Sequence, residues 1–460
     1  CDLERRQADN TYNDLVTGVP ERQAIEMFNE IALKVQTHYV DNPDWQRLAW
    51  RGTANLDVAI TKQPFRQRYM SQVSDEQINA FRHRLRDDVN RRNVQSRNAA
   101  RDLVVYTARI AAQDLGVDPS ATIVEYCCGA IASLDPYSTY LTGGQLDDVY
   151  SQIEGNFVGL GIELKADQDE LRVVKVIPGG PAEQAGMLAG DIIVAVDGQT
   201  TESTSTDAAA DLLKGVEGSE VDVTLRSADQ SVRSIRVTRR RVDVPCVEDA
   251  RIIDSVNGTG YFRLTSFQKT TSRDVDEALW RLHRQGMRSL IIDIRGNPGG
   301  LLTASVEVAD KFLAEGTIVS TRGRSARENF EYKAHRGGTW RVPLLVLIDS
   351  DSASASEIFA GAIRDHNRGT ILGERSYGKG SVQGIFPLTS SRSGVRLTTA
   401  KFFSPHGQPI SKVGVSPHRT IHQTARPTTH GVVPPADQLQ DDPVISAAME
   451  AARQLAVAHR

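Results

Sequence analysis

A buried strand that runs straight into a serine-rich corner and a helix constrains this chain more than any other feature. Val342 to Ile348 is an apolar run of strand length, Asp351-Ser352-Ala353-Ser354-Ala355-Ser356-Glu357 follows it, and Ala355 to Asp365 has a helical pattern. The serines therefore sit at a strand-to-helix turn. The first free N–H groups of the helix and the positive end of its dipole favour an oxyanion there, so a hydroxyl at this corner is placed to act as a nucleophile. A base is then required. No histidine stands in an evident base motif, although His366 is close in sequence, and Lys379 in Tyr377-Gly378-Lys379-Gly380-Ser381-Val382-Gln383 is the better candidate. If residues 379–383 are extended, Lys379, Ser381 and Gln383 share one face, and Gln383 can orient the lysine. A lysine is a base only when neutral, which asks for burial to lower its pKa from about 10.4. Gly378 and Gly380 would let the backbone close around it.

Taken singly, a serine cluster is usually a solvated, helix-capping turn and a Gly-Lys-Gly is a plain turn. A third element reverses that weighting. Leu290 to Ile294 reads as another short buried strand, and it enters Arg295-Gly296-Asn297-Pro298-Gly299-Gly300 before a helical pattern from Leu302 to Leu313. Two glycines at a helix N-terminus leave backbone amides facing a ligand oxygen.

Together, Leu290–Leu301, the Ser-Ala-Ser-Ala-Ser-Glu-Ile-Phe-Ala-Gly-Ala block and the Gly-Glu-Arg-Ser-Tyr-Gly-Lys-Gly-Ser-Val-Gln block resemble the carboxyl-terminal processing (tail-specific) protease family. The resemblance implies that Ser354 is the nucleophile, that Lys379 is the base, and that Gln383 completes a Ser/Lys/Gln triad. It implies oxyanion donors at Ala355 and in the Gly299-Gly300 pair, without saying which glycine donates. Asp365 matches a position where some members carry a sensitive aspartate, but its place in the last helical turn points to a structural role. Ser352 and Ser356 read as capping and packing residues, and the helix dipole alone accounts for Glu357.

Upstream, Phe157–Ile162, Leu171–Ile177, Pro181–Gly186 and Asp191–Gly198 resemble a PDZ domain of the protease-associated type, covering about Phe157 to Arg241. Such a module adds a peptide as an extra strand at a sheet edge and holds its terminal carboxylate on successive amides, here Leu160, Gly161 and Ile162. Arg239-Arg240-Arg241 at a strand end reads as a solvated edge, and the basic patch Arg82 to Arg101 as an exposed helix face.

Composition narrows the partners. A net charge of −4 leaves no general basic surface for nucleic acid. No stretch reaches the roughly 18–20 apolar residues needed to span a bilayer. The chain begins at Cys1, as does a bacterial lipoprotein after its leader is removed, so a lipid tether and a periplasmic or cell-envelope location are expectations, with a trimmed chain as the alternative. Cys127, Cys128 and Cys246 read as buried free thiols. His418 and His422 have zinc-like i,i+4 spacing, but they sit near Pro417 in a strand-like passage without an adjoining glutamate, so no metal is expected. No cofactor is called for.

The expected architecture is a multidomain α/β chain. A helical N-terminal region spans 1–147 (helices Val19–Tyr39, Asp75–Gly116 and Asp118–Ser133). A PDZ-like β-rich module spans 148–243. A mixed α/β protease core of the crotonase/Clp-like type spans 244–423, and a linker with a terminal helix, Asp442 to Ala456, fills 424–460. Gly414-Val415-Ser416-Pro417-His418 departs from the family's usual passage, which bears on edge packing. The expected function is a serine endopeptidase that cleaves proteins with free C-termini near their ends; a homo-oligomer is one option for its assembly. A catalytically silent PDZ scaffold is the alternative, disfavoured by the intact Ser354, Lys379 and Gln383, and a crotonase-like thioester enzyme is disfavoured by the PDZ module and the Ser/Lys pair.

Overall fold

The structure, a computed structural model, describes residues 6, 9–70, 73–167, 170–202, 206–335, 337–422 and 442–458. Cys1 and the proline-bearing linker between 423 and 441 lie outside them. The chain forms two compact units: 1–150 with 315–335 and 378–414, and 151–314 with 336–377 and 415–460. The span 244–423, expected as one core, is therefore shared between the two.

In the first unit, helices run over Asn10–Gly18, Glu21–His38, Trp45–Ala59, Gln63–Tyr69, Asp75–Asn90, Arg97–Leu115 and Pro119–Ala132. Asp9, Asp44, Ser74, Ser96 and Asp118 start five of them by accepting N–H groups of the first turn. The helix expected across Asp75–Gly116 is two, because Ser96 caps a new one. Trp45–Ala59 contains Gly52, Thr53 and Asn55, weak helix formers that hid it from sequence. Packing supplies what propensity lacks: a methyl on Gly52 would lie 2.7 Å from the Tyr126 ring. The basic patch is no uniform exposed face either. Arg82 and Arg86 both bond the Asp57 carboxylate, at 2.8 and 2.6 Å, and outweigh the burial that would raise its pKa, so Asp57 is held below the usual carboxylate range.

The same unit holds an antiparallel sheet in the order Thr139–Leu141, Gly394–Phe403, Thr317–Gly323, Phe330–Lys333, with Ser381–Pro387 also paired to Gly394–Phe403. Asp135 fastens the loop before this sheet: its carboxylate accepts from the Tyr137 and Ser138 amides and from Thr398 Oγ1.

In the second unit, Ile162–Asp167, Glu170–Val176, Ile192–Val196, Glu220–Arg226 and Val232–Thr238 form an antiparallel sheet in that order, with helix Thr206–Leu213 beside it. Leu160, Val173, Ile193, Val223 and Leu225 fill its core. Asn156–Gly159 pairs separately with Arg240–Asp243. Arg239 corrects the expectation of a solvated edge. It is buried, and its guanidinium donates to the carbonyls of Leu212 and Leu213, closing the C-terminus of helix Thr206–Leu213, and to Glu220 O and Ser219 Oγ.

The second sheet of this unit runs Val247–Asp254, Thr259–Leu264, Ser289–Asp293, Leu344–Ile348, Thr370–Gly373, Arg419–Thr420; the first pair is antiparallel and the rest are parallel. Ser289–Asp293 and Leu344–Ile348 are buried at every residue, as parallel central strands covered on both faces require. One face carries the C-terminal helix Pro443–Ala458 through Val444, Ile445, Ala448 and Ala452 against Ile291, Leu345, Leu347 and Leu372.

Candidate active site

Two successive parallel strands, Ser289–Asp293 and Leu344–Ile348, each give way to a tight corner and a helix, Leu302–Asp310 and Ala355–Asp365. The corners meet. Ser354 stands at φ 57°, ψ −114°, a left-handed conformation for a non-glycine residue that costs roughly 1–3 kcal/mol and persists only where its surroundings fix it. A methyl on Gly299 would lie 2.6 Å from Ala353 O, 2.7 Å from Ser354 Cβ and 2.8 Å from Ala355 N, so no larger residue fits beside the serine. The structure thus brings Ser354, Ala355 and Gly299 together.

Buried polar groups hold the corners. Asn297, fully buried, accepts from the Gly299 amide through Oδ1 (2.8 Å) and donates through Nδ2 to Leu264 O (2.8 Å). Its own carbonyl accepts from the Ala353 amide (3.0 Å) and from Ser356 Oγ (2.9 Å). Ser352 Oγ donates to Ile294 O at 2.9 Å. Ser352 and Ser356 therefore pack, as expected. Glu357 does more than answer the dipole: fully buried, its carboxylate accepts from the Ser354 amide (2.9 Å) and from Ser376 Oγ (2.6 Å), which in turn accepts from the Val415 amide (2.6 Å). Asn297 and Ser376 went unread in the sequence, since an asparagine among glycines and a serine before a tyrosine both look like turn residues. The Gly299 amide is committed to Asn297, whereas Gly300, at φ +140° with its neighbour Phe267 too close for a side chain, is exposed.

Lys379 and Gln383 belong to the first unit and Ser354 to the second. The strand expected from Lys379 begins only at Ser381, and a register shift between Val382 and Gln383 breaks the alternation, so the expected shared face of 379, 381 and 383 is not a regular strand face. Gln383 Nε2 donates to Ser381 O (3.0 Å) and Ser381 Oγ (2.8 Å). Lys379 is half-buried, with Nζ 5.2 Å from the centre of the Tyr137 ring. The close approach expected at the flanking glycines is present: a methyl on Gly380 would lie 2.1 Å from Ser411 N, and Gly378 adopts φ +90° against Lys412.

In the PDZ-like sheet, Leu160 and Gly161 precede the strand Ile162–Asp167, which pairs on one side only among the described residues. Gly161 has φ +79°, and the carbonyls of Leu160 and Gly161 accept from the Ala182 and Ile177 amides (both 2.8 Å). Ile162 and Leu164, with Leu212 and Ala209 of helix Thr206–Leu213, belong to one apolar cluster.

The remaining expectations fall to structural roles. Asp365 is all but covered and lies 3.4 Å from Arg364. His418 accepts from the Ile371 amide through Nδ1 at 2.9 Å, and His422 pairs with Glu374 at 3.3 Å, so both serve the edge strand Arg419–Thr420. Among the described residues no group of His, Cys, Asp and Glu is arranged to hold a metal. Cys127, Cys128 and Cys246 are buried free thiols, and burial pushes Cys128 and Cys246 up to about 12.

The chain is similar to known proteins. A profile of peptidase family S41 matches residues 258–421, and a PDZ domain profile matches residues 172–227. A carboxy-terminal-processing protease of Bartonella bacilliformis is 36% identical over 322 residues, 68% of this chain and 73% of that protein. A carboxyl-terminal-processing protease of Picosynechococcus is 36% identical over 295 residues, 63% of this chain and 70% of that one. Among solved structures, a photosystem II D1 C-terminal processing protease shares 27% identity over 87% of this chain and 93% of that chain, with a TM-score of 0.44. This chain is a member of the carboxyl-terminal-processing proteases, serine peptidases of family S41, and it carries their PDZ domain.

Proposed function

We propose that the chain hydrolyses proteins near their C-termini through an acyl-enzyme in which Ser354 is the nucleophile and Lys379 the base. Ser354 Oγ bonds to the scissile carbonyl carbon as Lys379 Nζ takes the hydroxyl proton, and the carbonyl oxygen becomes an oxyanion. Collapse breaks the C–N bond, Lys379 returns the proton to the leaving amine, and water then repeats the sequence to free the serine. The oxyanion donors are the amides of Ala355 and Gly300. Gly299 is the weaker choice, because its amide is already given to Asn297. Gln383 orients the lysine through its side-chain oxygen, the only one of its two polar atoms that can accept from an amine N–H.

One observation carries this reading: Ser354 is held at φ 57° on the first residue of a helix-starting corner, against a glycine that permits no side chain. The pairing with Lys379 rests on the two sequence blocks. The twice-repeated strand, glycine or serine corner and helix supports a core of the crotonase/Clp-like type. The edge strand Ile162–Asp167, entered through Leu160, Gly161 and Ile162, is read as the site where a substrate tail is bound. A cell-envelope or periplasmic setting and self-association complete the proposal; sedimentation velocity tests the second.

The test of the chemistry is cleavage of an unstructured protein such as casein by Ser354→Ala, Lys379→Ala and the double variant, with thermal melting as control. Each single variant should lose turnover while staying folded, and the double should be little worse than either. Substantial activity in a folded single variant overturns the assignment.

A further inference from the structure

Arg295 lies between the buried strand Ser289–Asp293 and the glycine corner, and its guanidinium is shared by two carboxylates. Toward Asp293 it bonds at 2.6, 2.9 and 3.1 Å; toward Asp442, at the start of the C-terminal helix, at 2.9 and 3.2 Å. All three are nearly covered, with side-chain exposures of 11, 3 and 13% for Arg295, Asp293 and Asp442. Asp442 also starts its own helix, accepting from the Val444 and Ile445 amides at 2.9 and 3.2 Å. The helix lies beyond residues 258–421, the span that the family profile covers.

From Arg295 the chain reaches Gly299, at the active-site corner, in four residues, and all of them but Pro298 are hydrogen-bonded. The Arg295 amide donates to Asp293 Oδ1, the Gly296 amide to Asp349 Oδ1, and Asn297 holds the Gly299 amide. The corner is thus a short loop clamped at its entry by a buried ion cluster and at its exit by Asn297. Burial opposes the charge on Asp293, yet Arg295 outweighs it and keeps the carboxyl ionised, its pKa below the usual range.

We infer that Asp442, through Arg295, is a positioning residue for the oxyanion donor at Gly300, so that the C-terminal helix is a working part of the catalytic centre. The inference rests on the reading of Gly300 given above. The physical reason is that a shift of about 1 Å in a donor is enough to lose on the order of a hundredfold in rate, since the donor must meet charge where it develops in the transition state. Asp442 touches no reacting atom. Its removal leaves the Asp293–Arg295 pair intact but frees the guanidinium, and with it the loop entry, to move.

The experiment compares Asp442→Asn, Asp442→Glu and Arg453→Ala in the full chain. Arg453 bonds Asp254 at 3.0 Å from the same helix and does not touch Arg295, so it reports helix attachment alone. kcat and KM for a peptide substrate, the rate at which a fluorophosphonate phosphonylates Ser354 with loss of fluoride, and thermal melting are recorded for each. Asp442→Asn should lower kcat and the phosphonylation rate roughly ten- to hundredfold with KM changed less than twofold. Asp442→Glu should recover most of the rate, and Arg453→Ala should lower the melting temperature while keeping kcat. Wild-type kcat in Asp442→Asn, or an equal loss of kcat in Arg453→Ala, overturns the inference. If Asp442→Asn does not fold, Arg295→Lys, which keeps the charge but loses the fork that serves two carboxylates, is read by the same measurements and the same outcomes. Substantial turnover in a folded Ser354→Ala chain defeats the serine mechanism instead, which separates the two failures.

Discussion

At the scale of single residues, the catalytic corner is made by side chains that the chemistry never touches. Gly299 is required twice, by its φ of +101° and by the 2.6–2.8 Å approach of Ala353, Ser354 and Ala355. Gly299→Ala should therefore cost roughly 1–3 kcal/mol of stability and displace the serine, so a larger fractional fall in kcat than in folded protein is expected from turnover and melting measured together. Asn297 makes a second case. Asn297→Ala leaves the Gly299 amide and the Leu264 carbonyl buried without partners, at about 1–3 kcal/mol each. The deficit should appear in both chemical denaturation and kcat. Unchanged kcat in a folded Asn297→Ala would mean that the corner needs no such support.

Among the elements, two depend on side chains that bond groups distant in sequence. Helix Thr206–Leu213 ends on Arg239, and Arg239→Met should destabilise the PDZ domain by roughly 1–3 kcal/mol, because four acceptors lose a charged donor. A calorimetric scan of the isolated change against wild type measures it. The edge strand Arg419–Thr420 leans on His418, whose Nδ1 accepts a backbone N–H and must be unprotonated to do so. Burial and then Arg364 lower its pKa below the ordinary value near 6.5. The sign follows: the unfolded chain takes up a proton first, so the contribution of this contact is full above about pH 6.5 and declines as pH falls through and below it. Melting temperature should decline less between pH 7.5 and 5.5 in His418→Asn than in wild type. A parallel decline in both would assign the pH dependence elsewhere.

For the molecule as a whole, the proposed reading of the PDZ domain has recognition and cleavage use different surfaces. The edge strand Ile162–Asp167 has an apolar flank of Ile162 and Leu164 beside Ala209 and Leu212, which suits apolar terminal residues. One unstructured substrate should be cleaved fastest with a free apolar C-terminus, more slowly when amidated, and more slowly when it ends in two aspartates. Equal rates for all three would leave the domain a spacer. High salt should change this ranking little, because on the proposed reading backbone amides of a partly covered loop would hold the terminal carboxylate, and not a long-range field.

The sequence by itself determined the family and most of the elements around the two corners. The short, mostly apolar runs Leu290–Ile294 and Val342–Ile348 read as buried strands, and the helix Ala355–Asp365 could be placed to the residue, because period and punctuation are local properties. What the tertiary structure alone decided is everything that depends on a partner distant in the chain. The helix Trp45–Ala59 exists because Tyr126 packs on Gly52, the strand Gly394–Phe403 because it has neighbours on both sides, and the break in alternation at Gln383 because its partner strand shifts register there. Glu357, Asn297 and Arg239 look like surface polar residues in a linear reading. They are buried because each finds donors or acceptors up to 59 residues away or across a turn, and burial of a polar group is stable only where those partners converge.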